Sequence, residues 1–214
     1  MINATDSKGT FYILNKKDRT PIIFIHGVGL DHSIWDPQIN EFDNTVLIYD
    51  ILGHGKTPLN KNDLSFDDFS DQIINLIDEL KFNKVHLVGF SIGSLIARNF
   101  ATRFNNRLAS LTLLCSIFNR SDKEQKIVND RFEQTKKDHK LTKDALKRWF
   151  TEDFLNKNPD ISDKIFNILQ NNNMNNFIKI YSLFVKHQDN EKFENIKTKT
   201  LVMTGEGDVG STPE

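Results

Sequence analysis

Val85-His86-Leu87-Val88-Gly89-Phe90-Ser91-Ile92-Gly93-Ser94-Leu95-Ile96-Ala97 decides how the chain is read. Its first half is an apolar run rich in β-branched residues and reads as a buried strand; its second half continues as a helix to about Phe104. A strand that turns at once into a helix strains the corner residue and crowds its neighbours. Glycines two before and two after the corner, Gly89 and Gly93, remove the Cβ atoms that would clash there. Ser91 then projects above the sheet edge, with the Ile92 amide at a helix N-terminus that favours developing negative charge. A serine so placed suits attack on an acyl carbon.

Working outward, Thr10 to Leu14, Pro21 to Ile25, Val46 to Tyr49, Leu108 to Leu114 and Thr200 to Thr204 are strand candidates. Lys16 to Arg19 reads as a turn. Helices are expected over about Ser33–Phe42, capped by Asp31 or Ser33, and Ser65–Leu80, capped by Ser65. Strands alternating with helices predict an α/β fold, a mostly parallel sheet covered on both faces, whose site lies at the carboxyl ends of the strands. His26, Asp50, Ser91 and Cys115 all fall at such ends.

The pattern changes at Asn119. Helical segments are expected at about Asp122–Asp138, Lys143–Leu155, Ile161–Leu169 and Phe177–His187 before the strand at Leu201. The expected division is a core of residues 1–118 and 196–214, with a helical lid of residues 119–195 over the sheet's active edge.

The 214 residues suffice for one sizeable domain; 38% hydrophobic and 27% charged residues mark it as globular. A net charge of −1 offers no electrostatic case for nucleic acid or an anionic membrane. Cys115, the single cysteine, forms no internal disulfide and reads as a small buried residue. No leader-like or membrane-spanning run is legible, so the expected setting is the cytoplasm. No metal and no cofactor are expected, because no two histidines are seen with carboxylates or Cys115 at ligand spacing. The oligomeric state is left open.

Four motifs in order, His26-Gly27-Val28-Gly29, Asp50-Ile51-Leu52-Gly53-His54-Gly55, Gly89-Phe90-Ser91-Ile92-Gly93 and Gly205-Glu206-Gly207-Asp208, resemble those of the α/β-hydrolase superfamily. The runs Gly29 to Trp35 and Gly207 to Pro213 suggest its lidded branch of 3-oxoadipate enol-lactonase-like esterases. The resemblance implies a serine hydrolase acting on a small-molecule ester or lactone. Ser91 would be the nucleophile and the amides of Val28 and Ile92 the oxyanion hole. His26, Gly27 and Gly29 would support that loop. Asp208 would be the acid that orients a histidine, with Glu206 as runner-up.

Carbon–carbon bond hydrolases and acyltransferases share this triad, and a non-catalytic binding module is a reading of another class. Trp35, Phe118 and Trp149 are candidate pocket residues. His32, near the oxyanion loop, is read as a surface helix start, with a pocket-lining position as the alternative. The superfamily's histidine follows the acid, whereas His26, His32, His54, His86, His139 and His187 all precede Asp208. The expectation is therefore a C-terminally truncated sequence lacking a strand, the histidine loop and a last helix.

Overall fold

The computed structural model describes residues 1–141, 143–188, 193–208 and 210–213. Strands β1 (Ile2–Thr5), β2 (Phe11–Asn15), β3 (Arg19–Ile25), β4 (Asn44–Tyr49), β5 (Val85–Phe90), β6 (Leu108–Leu114) and β7 (Thr200–Met203) form one seven-stranded sheet. Its order is β1-β2-β4-β3-β5-β6-β7. The apolar runs make its parallel centre, from β4 to β7, while β1 and β2 join antiparallel. Unbroken apolar strands need cover on both faces. Alternate residues supply it: Ile23, Ile25, Leu47 and Tyr49 enter one core, and Ile22, Phe24, Val46 and Ile48 enter the other.

Helices α1 (Phe66–Glu79) and α2 (Ile92–Phe104) fill the first core with Phe69, Ile73, Leu76, Ile77, Ile96 and Phe100. The start of α1 is set by a capping box between Ser65 and Asp68. The second core takes Trp35 and Ile39.

Between β6 and β7 run helices α3 (Asp122–Asp138), α4 (Asp144–Trp149), α5 (Glu152–Lys157), α6 (Pro159–Gln170) and α7 (Met174–Lys186). This segment does not stand off the sheet. Ile180 of α7 is fully buried in the first core, and Leu146 and Leu169 pack on Leu30 in a third cluster. Lys164 reaches back to Asp36 at 2.7 Å and to the Ser33 carbonyl at 2.8 Å.

Three expectations are corrected. Strand β1 lies in a stretch given no structure, because its four residues are too short and exposed to show a period. The helix expected over 33–42 shrinks to a 3-10 turn, His32–Trp35, followed by further turns. Pro37 has no N–H to continue the ladder. The helix expected over 143–155 is two, α4 and α5: Phe150 is extended, and the Thr151 hydroxyl caps a fresh start by accepting from the Phe154 amide.

Among the described residues strand β7 lies at the sheet edge, paired with β6, and Leu201, Val202 and Met203 are each at least half exposed. Among the described residues no helix is long and apolar enough to cross a membrane.

Candidate functional site

The corner at Ser91 is drawn tight by contacts that only glycine permits. A Cβ on Gly89 would sit 2.2 Å from the Gly93 carbonyl oxygen. A Cβ on Gly93 would sit 2.6 and 2.7 Å from the carbonyl oxygens of Ile25 and His26. Ser91 itself takes φ 55° and ψ −121°, a costly conformation for a residue with a Cβ. It is held there at both ends of its backbone. Its amide donates to the Leu114 carbonyl at 2.9 Å, and its carbonyl accepts from the Ser94 amide and hydroxyl at 2.8 and 2.6 Å. The side chain is half-buried, and Ile92 opens α2, where the first amides of a helix have no intrahelical partner.

The Gly93 contact seats this corner against the end of β3, where residues 26–30 begin. His26 is wholly buried and neutral: its Nε2 accepts from the Ile51 amide at 3.1 Å, so Nδ1 carries the proton and donates to the Gly27 carbonyl at 2.8 Å. The Gly27 carbonyl also accepts from the Leu30 amide at 3.2 Å. A trans peptide is planar, so anchoring that carbonyl fixes the opposite direction for the Val28 N–H. Gly29 reverses the chain at φ 77°, and its amide donates to His54 Nε2 at 2.9 Å. His54 lies 5.4 Å from His26, ring to ring. These bonds use the Gly27 carbonyl and the Gly29 amide and leave the Val28 amide out of them.

The role expected for His26 has a geometric counterpart here; His54 is a second brace that the sequence did not single out. Its Gly-His-Gly setting was the only signal.

His32 is not the surface residue expected. It is buried, and its Nδ1 lies 2.7 Å from Oδ1 of the fully buried Asp50. The same oxygen accepts from the His32 amide at 2.8 Å, and Asp50 Oδ2 accepts from the Lys56 amide at 2.8 Å. Burial opposes both charges, yet each holds the other: His32 is raised and Asp50 lowered from its ordinary value. Asp31, His32 and Asp50 also bring ligand-type atoms within 4.8 Å of one another, a grouping with one histidine that the sequence did not single out. The Asp50 oxygens already serve His32 and Lys56, and Asp31 Oδ1 accepts from Ser33, so the group reads as a loop-closing ion pair.

Asp208 follows β7. Its Oδ1 accepts from the amides of Gly210 and Ser211 at 2.7 and 2.9 Å. Cys115, at the end of β6, touches the same carboxylate. Its amide donates to the Met203 carbonyl at 2.8 Å, and its carbonyl accepts from the Ser211 hydroxyl at 2.9 Å. Burial first, then the Asp208 carboxylate, pushes the Cys115 thiol up, which suits an unreactive sulfur. Since the preceding Leu114 holds the Ser91 amide, β6 ties the Ser91 corner and the Asp208 loop together. Glu206 is exposed.

The proposed pocket residues do not converge. Trp35 is buried in the second core, 4.8 Å from Phe24 ring to ring, because a bulky indole between β3 and β4 is core filler. Phe118 is 67% exposed, against Phe193, and Trp149 is 42% exposed at the end of α4. The two clefts described, about 240 and 200 Å³, lie instead between residues 53–58 and the Asn171-Asn172-Asn173 turn, and beside Leu30 and His32.

The remaining histidines have other settings. His86 Nδ1 meets the Ser110 hydroxyl at 2.7 Å within the sheet, His139 is exposed at the end of α3, and His187 packs on Phe66.

The two braces make the fold acid-sensitive. Burial lowers both, first by desolvation, and His54 falls to about 3. The unfolded chain therefore takes up protons below about pH 6.5 that the folded chain refuses, and stability falls as pH falls. Between about pH 6.5 and its folded value of about 3, His54 removes about 1.4 kcal/mol per pH unit, and His26 acts in the same direction. His32, being raised, works above this window: its contribution is complete below about 6.5 and is lost as pH rises through its folded value. Urea midpoints measured from pH 7 to 5 are expected to fall, and His54→Asn is expected to flatten that fall. A flat profile over that range would mean that the buried rings are not neutral braces.

A strained serine at a strand–helix corner, a histidine-braced glycine loop beside it and a carboxylate after the next strand but one define an α/β hydrolase. Residues 20–208 match the family described as "alpha/beta hydrolase fold", and the chain belongs to that family. Among its relatives is the (E)-2-((N-methylformamido)methylene)succinate hydrolase of Acinetobacter baylyi, 29% identical over 209 residues, covering 96% of this chain and 79% of that protein. The 3-oxoadipate enol-lactonase 1 of the same organism is 25% identical over 217 residues, covering 99% and 80%. The crystal structure of the enol-lactonase from Burkholderia xenovorans LB400 superposes with a TM-score of 0.81 at 21% identity, covering 99% of this chain and 84% of that one.

Proposed function

We propose that the chain is a serine hydrolase of small carboxylic esters or lactones, with the helices of residues 119–195 acting as a lid. The observation that carries this reading is Ser91 at φ 55°, fixed at a corner that bears on the carbonyls of Ile25 and His26. A binding module has no need of strain at that one hydroxyl. Ser91 Oγ adds to the acyl carbon and passes its proton to a base. The oxyanion is met by the amides of Val28 and Ile92. The C–O bond to the alcohol portion then breaks, the base returns the proton to that oxygen, and water repeats the sequence on the acyl-enzyme. The enol-lactonase relatives favour a lactone or ester as substrate class.

His26 and His54 are not free to act as that base: both ring nitrogens of each are bonded to backbone. His32 is tied to Asp50 and His86 to Ser110. The position after Asp208 is where the superfamily's order would put it, and no histidine follows Asp208 in these 214 residues. A second reading, of another class, is a ligand-binding module on a hydrolase scaffold.

Turnover of p-nitrophenyl esters and enol-lactones separates the two. Residues 1–214 are compared with a chain continued along the reading frame past Glu214. The chain of 1–214 is expected to give at most the roughly 10³-fold rate over water that binding and an oxyanion hole supply, and the continued chain far more. Equal turnover by the two would place the base among the six histidines and overturn the assignment. A stop codon directly after Glu214, with specific ligand binding and no turnover, would favour the binding module.

A further inference from the structure

We propose that Asn172, in the turn between α6 and α7, is a positioning residue for the oxyanion-binding amide of Val28, a role that rests on the hydrolase reading above. The connection is a run of hydrogen bonds through rigid peptide planes. Asn172 Nδ2 donates to the Gly29 carbonyl at 2.7 Å, across 143 residues of sequence. The Gly29 carbonyl shares its plane with the Leu30 N–H, so holding one aims the other. The Leu30 N–H donates to the Gly27 carbonyl at 3.2 Å, and that carbonyl shares its plane with the Val28 N–H. Two peptide planes thus carry an orientation from the lid to the atom that must meet the oxyanion.

The other end of Asn172 is fixed to the lid itself. The same nitrogen lies 3.1 Å from each of the Ile168 and Leu169 carbonyls at the end of α6. Those carbonyls belong to the last turn of the helix, where the Asn171 amide also reaches the Ile168 carbonyl at 3.2 Å, so Asn172 joins the bonds that close α6. Packing reinforces the hold. A Cβ on Gly29 would lie 2.9 Å from the Phe177 ring and 3.1 Å from Leu169, so α6 and α7 press directly on the loop. His26 and His54 grip residues 27–29 from the sheet side, and Asn172 grips them from the lid side. The hole is therefore fully ordered only while the lid is seated. Release of the lid for substrate entry would loosen the Val28 amide, and reseating would re-aim it, which couples closure to oxyanion stabilisation.

The test reads orientation and chemistry separately. Amide hydrogen exchange over residues 27–30 is compared in wild type, Asn172→Ala and Asn172→Asp, with Asn171→Ala as the neighbour that lines the same clefts. Asn172 is only partly buried, so the variants are expected to fold. Asn172→Ala should speed exchange at Gly29 and Leu30 about tenfold, while amides of β3 and β4 and the Asn171→Ala chain stay at wild-type rates. Asn172→Asp, which sets a carboxylate against three carbonyls, should do at least as much. In the turnover-competent chain, Asn172→Ala should lower kcat about tenfold with KM changed less than twofold, because the Val28 amide acts on the oxyanion and not on ground-state binding.

Unchanged exchange in both Asn172 variants would overturn the coupling. Faster exchange with wild-type kcat would overturn the positioning role. The exchange arm needs no turnover, so a wild type inactive on every ester would count against the hydrolase reading alone.

Discussion

In a chain that carries the base, Ser91→Ala is expected to abolish labelling by a fluorophosphonate probe and to lower ester turnover by about 10⁵–10⁶-fold, leaving the fold intact. The size follows from how the site is divided. The alanine keeps the oxyanion amides and whatever grips the substrate, and it loses the one covalent path. Removing the nucleophile alone costs about as much as removing a whole triad, because the remaining members have nothing to act through. The strain supplies an independent check. Alanine at φ 55° is as uncomfortable as serine, so Ser91→Ala should melt within a degree or two of wild type. Ser91→Gly removes the Cβ as well. Relief of a backbone cost of order 1–3 kcal/mol should then raise the melting temperature by several degrees while activity is lost. Undiminished labelling of Ser91→Ala would show that another hydroxyl reacts. An unchanged melting point for Ser91→Gly would show that the corner stores no strain.

That corner was legible in the sequence because every feature of it is local. The strand's apolar run, the two glycines and the helix all lie within thirteen residues, and β6, Leu108–Leu114, was equally plain from a local run with leucine at 108, 111, 113 and 114. What stayed hidden is of two kinds. Some local signals were outweighed by a stronger pattern. Trp35 and Ile39 have helical spacing, but Pro37 between them cannot donate, and the segment folds as turns. Other features depend on partners far apart in the chain. His32 meets Asp50 across 18 residues, and Asn172 meets Gly29 across 143. No periodicity reports such pairings, since each partner looks like an ordinary polar residue in its own surroundings. Pocket residues fail for the same reason: an aromatic on a lid helix or a loop has one sequence signature whether it faces substrate, core or water. Trp35, Phe118 and Trp149 went to the last two.

Asp208→Asn should lower kcat by about 10⁴-fold with KM within a few-fold of wild type, in a chain that carries the base. The held carboxylate explains why so small a change acts so strongly. Oδ1 accepts from the amides of Gly210 and Ser211 at 2.7 and 2.9 Å. An asparagine keeps one carbonyl oxygen, and those two donors will claim it, so the loop and the protein's stability should survive the change. The NH₂ group must then take the place of Oδ2. A histidine ring nitrogen approaching that position would meet a donor where it needs an acceptor. The imidazole would turn to the tautomer that leaves its far nitrogen protonated, unable to take the proton from Ser91. Asp208→Ala should be no better catalytically and less stable, since it strands both loop amides without their acceptor. Glu206→Gln is the matching control, because Glu206 is exposed in the same loop, and it should turn over at the wild-type rate. The reverse outcome, wild-type turnover in Asp208→Asn with loss in Glu206→Gln, would show that the wrong carboxylate has been assigned. Loss in both, with KM rising and kcat steady, would assign the loop to substrate binding instead of to the base.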